Sequence, residues 1–498
     1  MAARLTFPVP RWLLVLVLTG AVMVAGSRLV GPTAWLLGCL VGYSAFNLVT
    51  SGLEVRWKLF GRRTPEARRA MAFPPAVSPS EARRAFSLIV PALDEAAVLR
   101  ETIGTLQRQT HPSVQIIISL AEGDDPTIAQ ARAAAAGSRQ VTLVVRDYHR
   151  SSKAQQLNAA LEVCTGDYVG VFDAEDDVAA DLLLHVEALL DETDADVVQG
   201  GVQLVNLDLP VRDGANALHR CWTRLRGWYC VHNAMEYYFW FSSRMFYQIE
   251  QGFVPLGGNT VFIRRELLEK AGGWPLNLTE DCALGVHLCV EHDVKVVAGY
   301  EPRLTTREET PARLFGNGSL DRQRRRWDQG FLSVLLNGGW WRLPSLQQRL
   351  MASYLLAMPF IQAVNGVMVL LSLAAVIWLT APVGWVMVMF TPFVPIVISL
   401  CLQVVGLGEF SRQFQRRARP RHYASLILGG YPYQLVLAFS AVMGVKRLVA
   451  GQNTWLKTAH DGLHRRVPTP AAAVPRQRAA DRRDPITTDA AQHEGAPA

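Results

Sequence analysis

Apolar residues follow two rhythms along this chain. Near both ends they form long unbroken runs, and between residues 86 and 336 they come in short runs separated by amphipathic stretches. The runs at 12–30 and 33–49 are each long enough to cross a bilayer. Gly31-Pro32 joins them, so they predict a helical hairpin that returns the chain to its starting side. Arg4 and Arg11 ahead of the first run leave a cleaved signal peptide as the alternative, which the length of the run and the second run close behind it oppose. Residues 350–380 and 383–405 are again long enough to span, with Pro359 placed to break the first. The run at 423–445 has Gly429-Gly430-Tyr431-Pro432 at its middle. As one span it would carry Lys446, Arg447 and Lys457 to the far side, so a broken, re-entrant hairpin is expected there.

The middle of the chain predicts strands at 86–90, 114–120, 141–145, 168–172, 196–203, 261–263 and 294–297. Helices are expected at 101–109, 126–136, 153–164, 266–271, 282–290 and 322–336. Such alternation argues for an α/β, doubly wound and mainly parallel sheet, which binds ligands beyond the carboxyl ends of its strands. The segment 215–253 stands apart. Its aromatic residues are interspersed with Arg220, Arg224, Arg226 and Arg244. It can lie in the headgroup layer, pack on the sheet as core, or stack on sugars.

Charge assigns sides to this arrangement. Arg56, Lys58, Arg62, Arg63, Arg68, Arg69, Arg83 and Arg84 follow the first hairpin, and Arg412, Arg416, Arg417, Arg419 and Arg421 follow the later runs. Positive flanks stay in the cytoplasm, so the N-terminus and the middle of the chain are expected there, with the protein multi-pass in the plasma (inner) membrane. The net charge of +7 flanks apolar runs and comes with no nucleic-acid motif, so nucleic acid is excluded as a partner and the lipid bilayer is expected instead. The seven cysteines show no metal-site pairing, and their odd number argues for reduced thiols. The tail from residue 461 is rich in Pro, Ala, Arg and Asp and reads as disordered.

Candidate chemistry collects at the strand ends. Asp94-Glu95 follows the first strand, Glu122-Gly123-Asp124 the second, and Asp173-Ala174-Glu175 the fourth. Asp173 and Glu175 can face one hard cation, Mg²⁺ or Mn²⁺, that carries a diphosphate. Arg150 and Lys153 could neutralise phosphate from the end of the third strand, or simply form a basic helix start. Gly257-Gly258 lets a ligand approach the backbone closely. Residues 278–327 hold Thr279-Glu280-Asp281 at one end and Gln323-Arg324-Arg325-Arg326-Trp327 at the other. A carboxylate there can take a proton from a hydroxyl, guanidiniums can hold phosphate, and an indole can stack on a sugar. The alternative for Asp281 is a plain helix cap.

The order of these motifs resembles membrane-embedded family-2 glycosyltransferases of the cellulose, chitin and hyaluronan synthase type. The resemblance covers roughly residues 86–327, the flanking helices and Trp455-Leu456-Lys457-Thr458. It implies a nucleotide-sugar-binding GT-A domain inserted between transmembrane helices. It implies that Glu95, Glu122 and Asp124 contact the nucleoside, although Asp94 stands where the family often has Asn. Lys153 and Asp173 would meet the donor diphosphate, and Asp173 and Glu175 would hold the metal, with Glu at the second position in place of the family's Asp. Asp281, with Glu280 beside it, would be the catalytic pair, and Gln323, Arg326 and Trp327 the wall for diphosphate and acceptor. The implied organisation is a transmembrane hairpin at 1–51, a basic linker at 52–85, the catalytic domain at 86–336, an interfacial and transmembrane region at 337–460 and the tail at 461–498. The implied reaction is inverting transfer of a sugar from a nucleotide-sugar donor, UDP-hexose by family expectation. The leading acceptor is a growing polysaccharide; the alternative is one or a few sugars added to a lipid or lipid-linked acceptor.

Overall fold

The computed structural model describes residues 11–148, 152–211, 214–378, 382–452, 454, 456–458 and 462–466. Arg150 and Trp455 therefore lie outside the described residues, as does the tail from 467 on.

The α/β region is built on β1 (Phe86–Ala92), β2 (Val114–Ala121), β3 (Val141–Arg146), β4 (Tyr168–Val171), β5 (Val197–Gln199), β6 (Gly201–Leu204), β7 (Val261–Arg264), β8 (Val296–Ala298) and β9 (Thr305–Glu308). Seven of them form one sheet in the order β3-β2-β1-β4-β7-β5-β8. β1 to β4 pair in parallel, while β7 runs antiparallel to both β4 and β5. Every residue of β1 is buried, as a strand covered on both faces requires. Its side chains alternate between two cores. Leu88 and Val90 join Ile116 and Ile118 on one face, and Ile89 joins Ile117 and Val169 on the other.

The strand expected at 196–203 is two strands in two sheets. A Cβ on Gly200 would lie 2.4 Å from the Leu304 carbonyl oxygen, so the backbones meet there and the chain turns out of the main sheet. β6 then pairs in parallel with β9, a strand the sequence reading lacks altogether. β9 is Thr-Thr-Arg-Glu, buried throughout although it has no apolar residue, which hides it from any hydrophobic rhythm.

Among the described residues, three helices are long and apolar enough to cross a membrane, or four if a bent pair counts as one span. The Pro32–Phe60 helix continues well past residue 51 and carries Glu54, Trp57 and Lys58. The run at 423–445 is broken where expected: the helices Pro420–Leu428 and Gly430–Val449 part at Gly429 with a bend of 56°, the geometry of a broken span or a re-entrant loop, and Lys457 beyond them lies 3.1 Å from Glu95. Pro432 falls in the first turn of the second helix, where its missing N–H costs nothing, and that helix runs on unbroken. It packs along the helices Leu320–Asn337 and Met358–Trp378.

The aromatic segment divides between its expected uses. The Ala217–Arg226 helix buries no residue and exposes Leu218, Trp222 and Leu225. The Cys230–Phe239 helix is mostly buried and packs on the Phe393–Gln413 helix. All seven cysteines are free. Residues 462–466, expected to be disordered, dock on the α/β region: Arg465 pairs with Glu101 at 3.2 Å, and the Gly462 N–H donates to Glu309 at 3.1 Å.

Candidate active site

The ends of β1 and β4 open into a cavity of about 1090 Å³. Ser152 caps the helix Lys153–Leu161 through the Gln155 N–H and so places Lys153 at the cavity's edge. Lys153 donates to the Asp173 carboxylate and, at 2.7 Å, to the Gly258 carbonyl; its ammonium lies 3.9 Å from Glu280. Burial opposes the charge on Lys153, but Asp173 and Glu280 outweigh it and raise its pKa. The Gly257-Gly258 loop is held by Gln199, which accepts from the Gly257 N–H at 2.9 Å. A Cβ on Gly258 would stand 2.9 Å from Asp281 Oδ2, so only glycine leaves that carboxylate room.

Glu280 and Asp281 open the helix Glu280–Glu291. Glu280 is buried, and burial pushes its pKa up to about 7 against the pull of Lys153. Asp281 is half-buried, and its Oδ1 accepts from the Cys282 N–H at 2.7 Å. Burial raises the Asp281 pKa, while the Cys282 N–H, Lys153 and Arg326 hold it back. The accessible, partly neutralised carboxylate is thus Asp281, and Glu280 is the one that anchors Lys153.

Opposite stands one face of the helix Leu320–Asn337. Gln323, Arg326 and Trp327 are spaced i, i+3 and i+4 and all line the cavity. Gln323 is buried, and its Oε1 has no hydrogen-bond partner among the described residues. Burial lowers the pKa of Arg326 against the attraction of Glu280, Asp173 and Asp281. The other two arginines serve packing: Arg324 pairs with Glu236 at 2.6 Å and covers the Trp327 ring, and Arg325 pairs with Asp321 at 2.6 Å.

Carboxylates accumulate on the cavity floor. Glu95, Asp173, Glu175 and Glu308 line it. Beneath them Asp176 accepts from the Asp173 N–H at 2.7 Å and from Asn259 at 2.8 Å, and Asn259 also reaches Glu308 at 2.5 Å. Burial and mutual repulsion drive the pKa values of Asp176 and Glu308 well up. Burial and Glu175 push Glu95 up to about 8, against the pull of Lys457, whose ammonium lies 3.1 Å away. Among the described residues, no three His, Cys, Asp or Glu side chains converge into a closed metal cage. Asp173 and Glu175 both line the cavity, together with Glu95 and Glu308.

Two expected residues lie elsewhere. Glu122 is exposed and does not line the cavity. Asp124 caps the helix Asp125–Ala135 and accepts from the Asp94 N–H at 2.6 Å. It thereby shapes the loop after β1, where Asp94 adopts φ +54°, a conformation open to Asp and Asn alike. Conversely, Glu308, Asn259 and Glu236 were not singled out by sequence. Glu308 sits on the polar strand β9, and the only signal for Asn259 is its place next to the paired glycines.

A parallel sheet joined to one antiparallel strand, with acids at its carboxyl edge and apolar helices on either side in sequence, is the GT-A architecture of nucleotide-sugar transferases. Residues 82–330, half of the chain, match the family described as "Glycosyltransferase like family 2". The chain belongs to that family. A beta-monoglucosyldiacylglycerol synthase of Trichormus variabilis is 28% identical over 250 residues, 49% of this chain and 48% of the relative. The Synechocystis enzyme of the same name is 32% identical over 192 residues, 38% of this chain and 35% of the relative. The chain thus spans half or less of the length of these curated relatives. Among solved structures, a mannosyltransferase of Pyrobaculum calidifontis in complex with GDP-Man and Mn²⁺ is a distant likeness, with a TM-score of 0.49 at 17% identity over 84% of this chain and 100% of that one.

Proposed function

We propose that this enzyme transfers a hexose from a nucleoside-diphosphate sugar, UDP-hexose by family expectation, to a lipid acceptor drawn from the membrane. One observation carries the reading. The cavity that holds Asp173 and Asp281 continues between the membrane helices, where Met358, Leu373, Ile396 and Val397 line it. An acyl chain suits those walls, and the relatives' names point to a lipid acceptor as well. The catalytic region faces the cytoplasm of a multi-pass inner-membrane protein on this reading, because basic residues flank the spans on its side.

Asp281 takes the proton of the acceptor hydroxyl as it attacks the anomeric carbon from the face opposite the leaving diphosphate, which inverts the centre. Glu280 holds Lys153 in place, and Lys153 with Arg326 offsets the charge of the departing diphosphate. Gln323 and Trp327 wall the acceptor. Glu95 borders the nucleoside end, and Asp124 acts there through Asp94. Asp173 and Glu175 fit a divalent cation, Mg²⁺ or Mn²⁺, since the floor holds more carboxylates than cations. When bound, such an ion supplies charge compensation for the diphosphate.

A second reading, extension of a polysaccharide, is favoured by one feature. Tyr43, Asn47, Ser51 and Glu54 form a polar stripe along the Pro32–Phe60 helix inside the same cavity. Product partition separates the two. Purified enzyme given labelled UDP-sugars is expected to yield a chloroform-soluble product bearing one or a few sugars; an alcohol-insoluble polymer would decide for the second reading.

A further inference from the structure

Where the cavity passes between the membrane helices, it carries two cations that the transfer chemistry does not use. Lys58 projects from the Pro32–Phe60 helix, and Arg244 closes the π-helical turn Trp240–Arg244; both line the cavity. The Arg244 guanidinium lies against two indoles, 4.4 Å from the Trp57 ring and 4.8 Å from the Trp240 ring. Its side chain is 16% exposed, and its nearest carboxylate, Glu54, is 3.9 Å away. Its Nε and Nη2 are buried with no hydrogen-bond partner among the described residues. The Lys58 ammonium donates to Ser399 at 2.5 Å and stands 5.3 Å from the centre of the Phe239 ring. It has no ion pair among the described residues, and the neighbouring Arg62 is already matched by Glu409.

Charge at this position does not balance. Glu54 can answer one of the two cations; Glu236, the other carboxylate near Lys58, is already paired with Arg324 at 2.6 Å, so the second cation is left with a serine and an aromatic face. A lysine turned outward would reach bulk headgroups at little cost, but this one turns inward to Ser399 on a neighbouring membrane helix. Unpaired cations held away from water are costly and persist where a ligand completes them. Free N–H groups of a stacked guanidinium, with an ammonium beside them, match the oxygens of a phosphate.

We propose that Lys58 and Arg244 bind the phosphate of an anionic lipid headgroup, so that the acceptor is a phospholipid whose headgroup hydroxyl reaches toward Asp281 in the same cavity. The proposal rests on the lipid-acceptor reading above and narrows it. Diacylglycerol has no anionic group and would leave the cation that Glu54 does not match unanswered.

Native mass spectrometry of the full-length protein, titrated with phosphatidylglycerol or with diacylglycerol of the same acyl chains, tests this without relying on turnover. Wild type is expected to retain phosphatidylglycerol at least about tenfold more tightly. Lys58→Gln and Arg244→Gln should each reduce that preference by about tenfold, while Lys58→Arg and Arg244→Lys keep most of it. Unchanged nucleotide binding in the four variants shows that they fold. Equal retention of the two lipids, or a preference that survives both Gln substitutions, would overturn the proposal. So would sn-glycerol 3-phosphate binding as tightly as phosphatidylglycerol, since the phosphate would then come from a soluble molecule. A polymeric product alongside intact phosphatidylglycerol preference would sink the lipid-acceptor reading alone. Transfer to diacylglycerol without any phosphate preference would sink this proposal alone.

Discussion

Lys153 donates to the Asp173 carboxylate, and this contact joins the helix after β3 to the turn after β4. The same ammonium holds the Gly258 carbonyl and stands near Glu280, so one cation organises three loops around the cavity. Its removal leaves Asp173 and Glu280 with Arg326 as their remaining counter-charge. Lys153→Met is expected to lower stability by about 3 kcal/mol. Mn²⁺ should restore part of that loss by taking over the charge compensation. Thermal melts of wild type and variant, with and without Mn²⁺, check both effects; a variant that melts like wild type would show that Lys153 organises nothing.

Glu280 is argued to position Lys153 and to leave proton transfer to Asp281. Glu280→Gln should therefore weaken donor binding, seen as a raised KM for the nucleotide sugar, with a smaller fall in kcat. Steady-state kinetics with varied donor reads the split. A collapse of kcat at unchanged KM would instead make Glu280 the base.

The pH dependence follows from the carboxylates. Asp281 must be ionised to accept a proton, so the rate falls as pH falls through its pKa. Burial raises that pKa, so the midpoint is expected above the ordinary aspartate value of about 4. Arg326 favours the ionised form, and Arg326→Ala should move the acidic limb to higher pH besides slowing the reaction. Glu280, pushed up to about 7, protonates as pH drops through that value and loosens its hold on Lys153. A profile of log kcat against pH for wild type and Arg326→Ala tests the direction; a limb that stays in place would remove Arg326 from the neighbourhood of the base.

Excess chelator should abolish transfer, and Mg²⁺ or Mn²⁺ should restore it. Glu175→Gln should raise the metal concentration needed for half-maximal activity, because one of two oxygen donors loses its charge. Full activity in chelator would remove the metal from the account.

Much of this arrangement was legible in the sequence where side-chain rhythm and motif coincide. The apolar runs of β1, β2 and β4 announced buried strands, and the acids after them lay at the carboxyl edge where ligands bind. Asp281 at a helix start also followed from the residues, whereas Gln323, Arg326 and Trp327 were grouped by the family resemblance, and their common helical face came from the structure. What escaped had no rhythm to show. β9 is polar yet buried because Asp177, Asn259 and their neighbours satisfy Arg307 and Glu308. Glu122 looked like a site residue by position after β2, but it turns to solvent, while Asp124 spends its carboxylate on a cap and a loop.

Single-turnover transfer by Asp281→Asn, with donor binding measured on the same preparation, tests the central claim most directly. The account predicts donor affinity close to that of wild type and a transfer rate lower by about a thousandfold, the range expected on losing a general base. Transfer at the wild-type rate in that variant would contradict it.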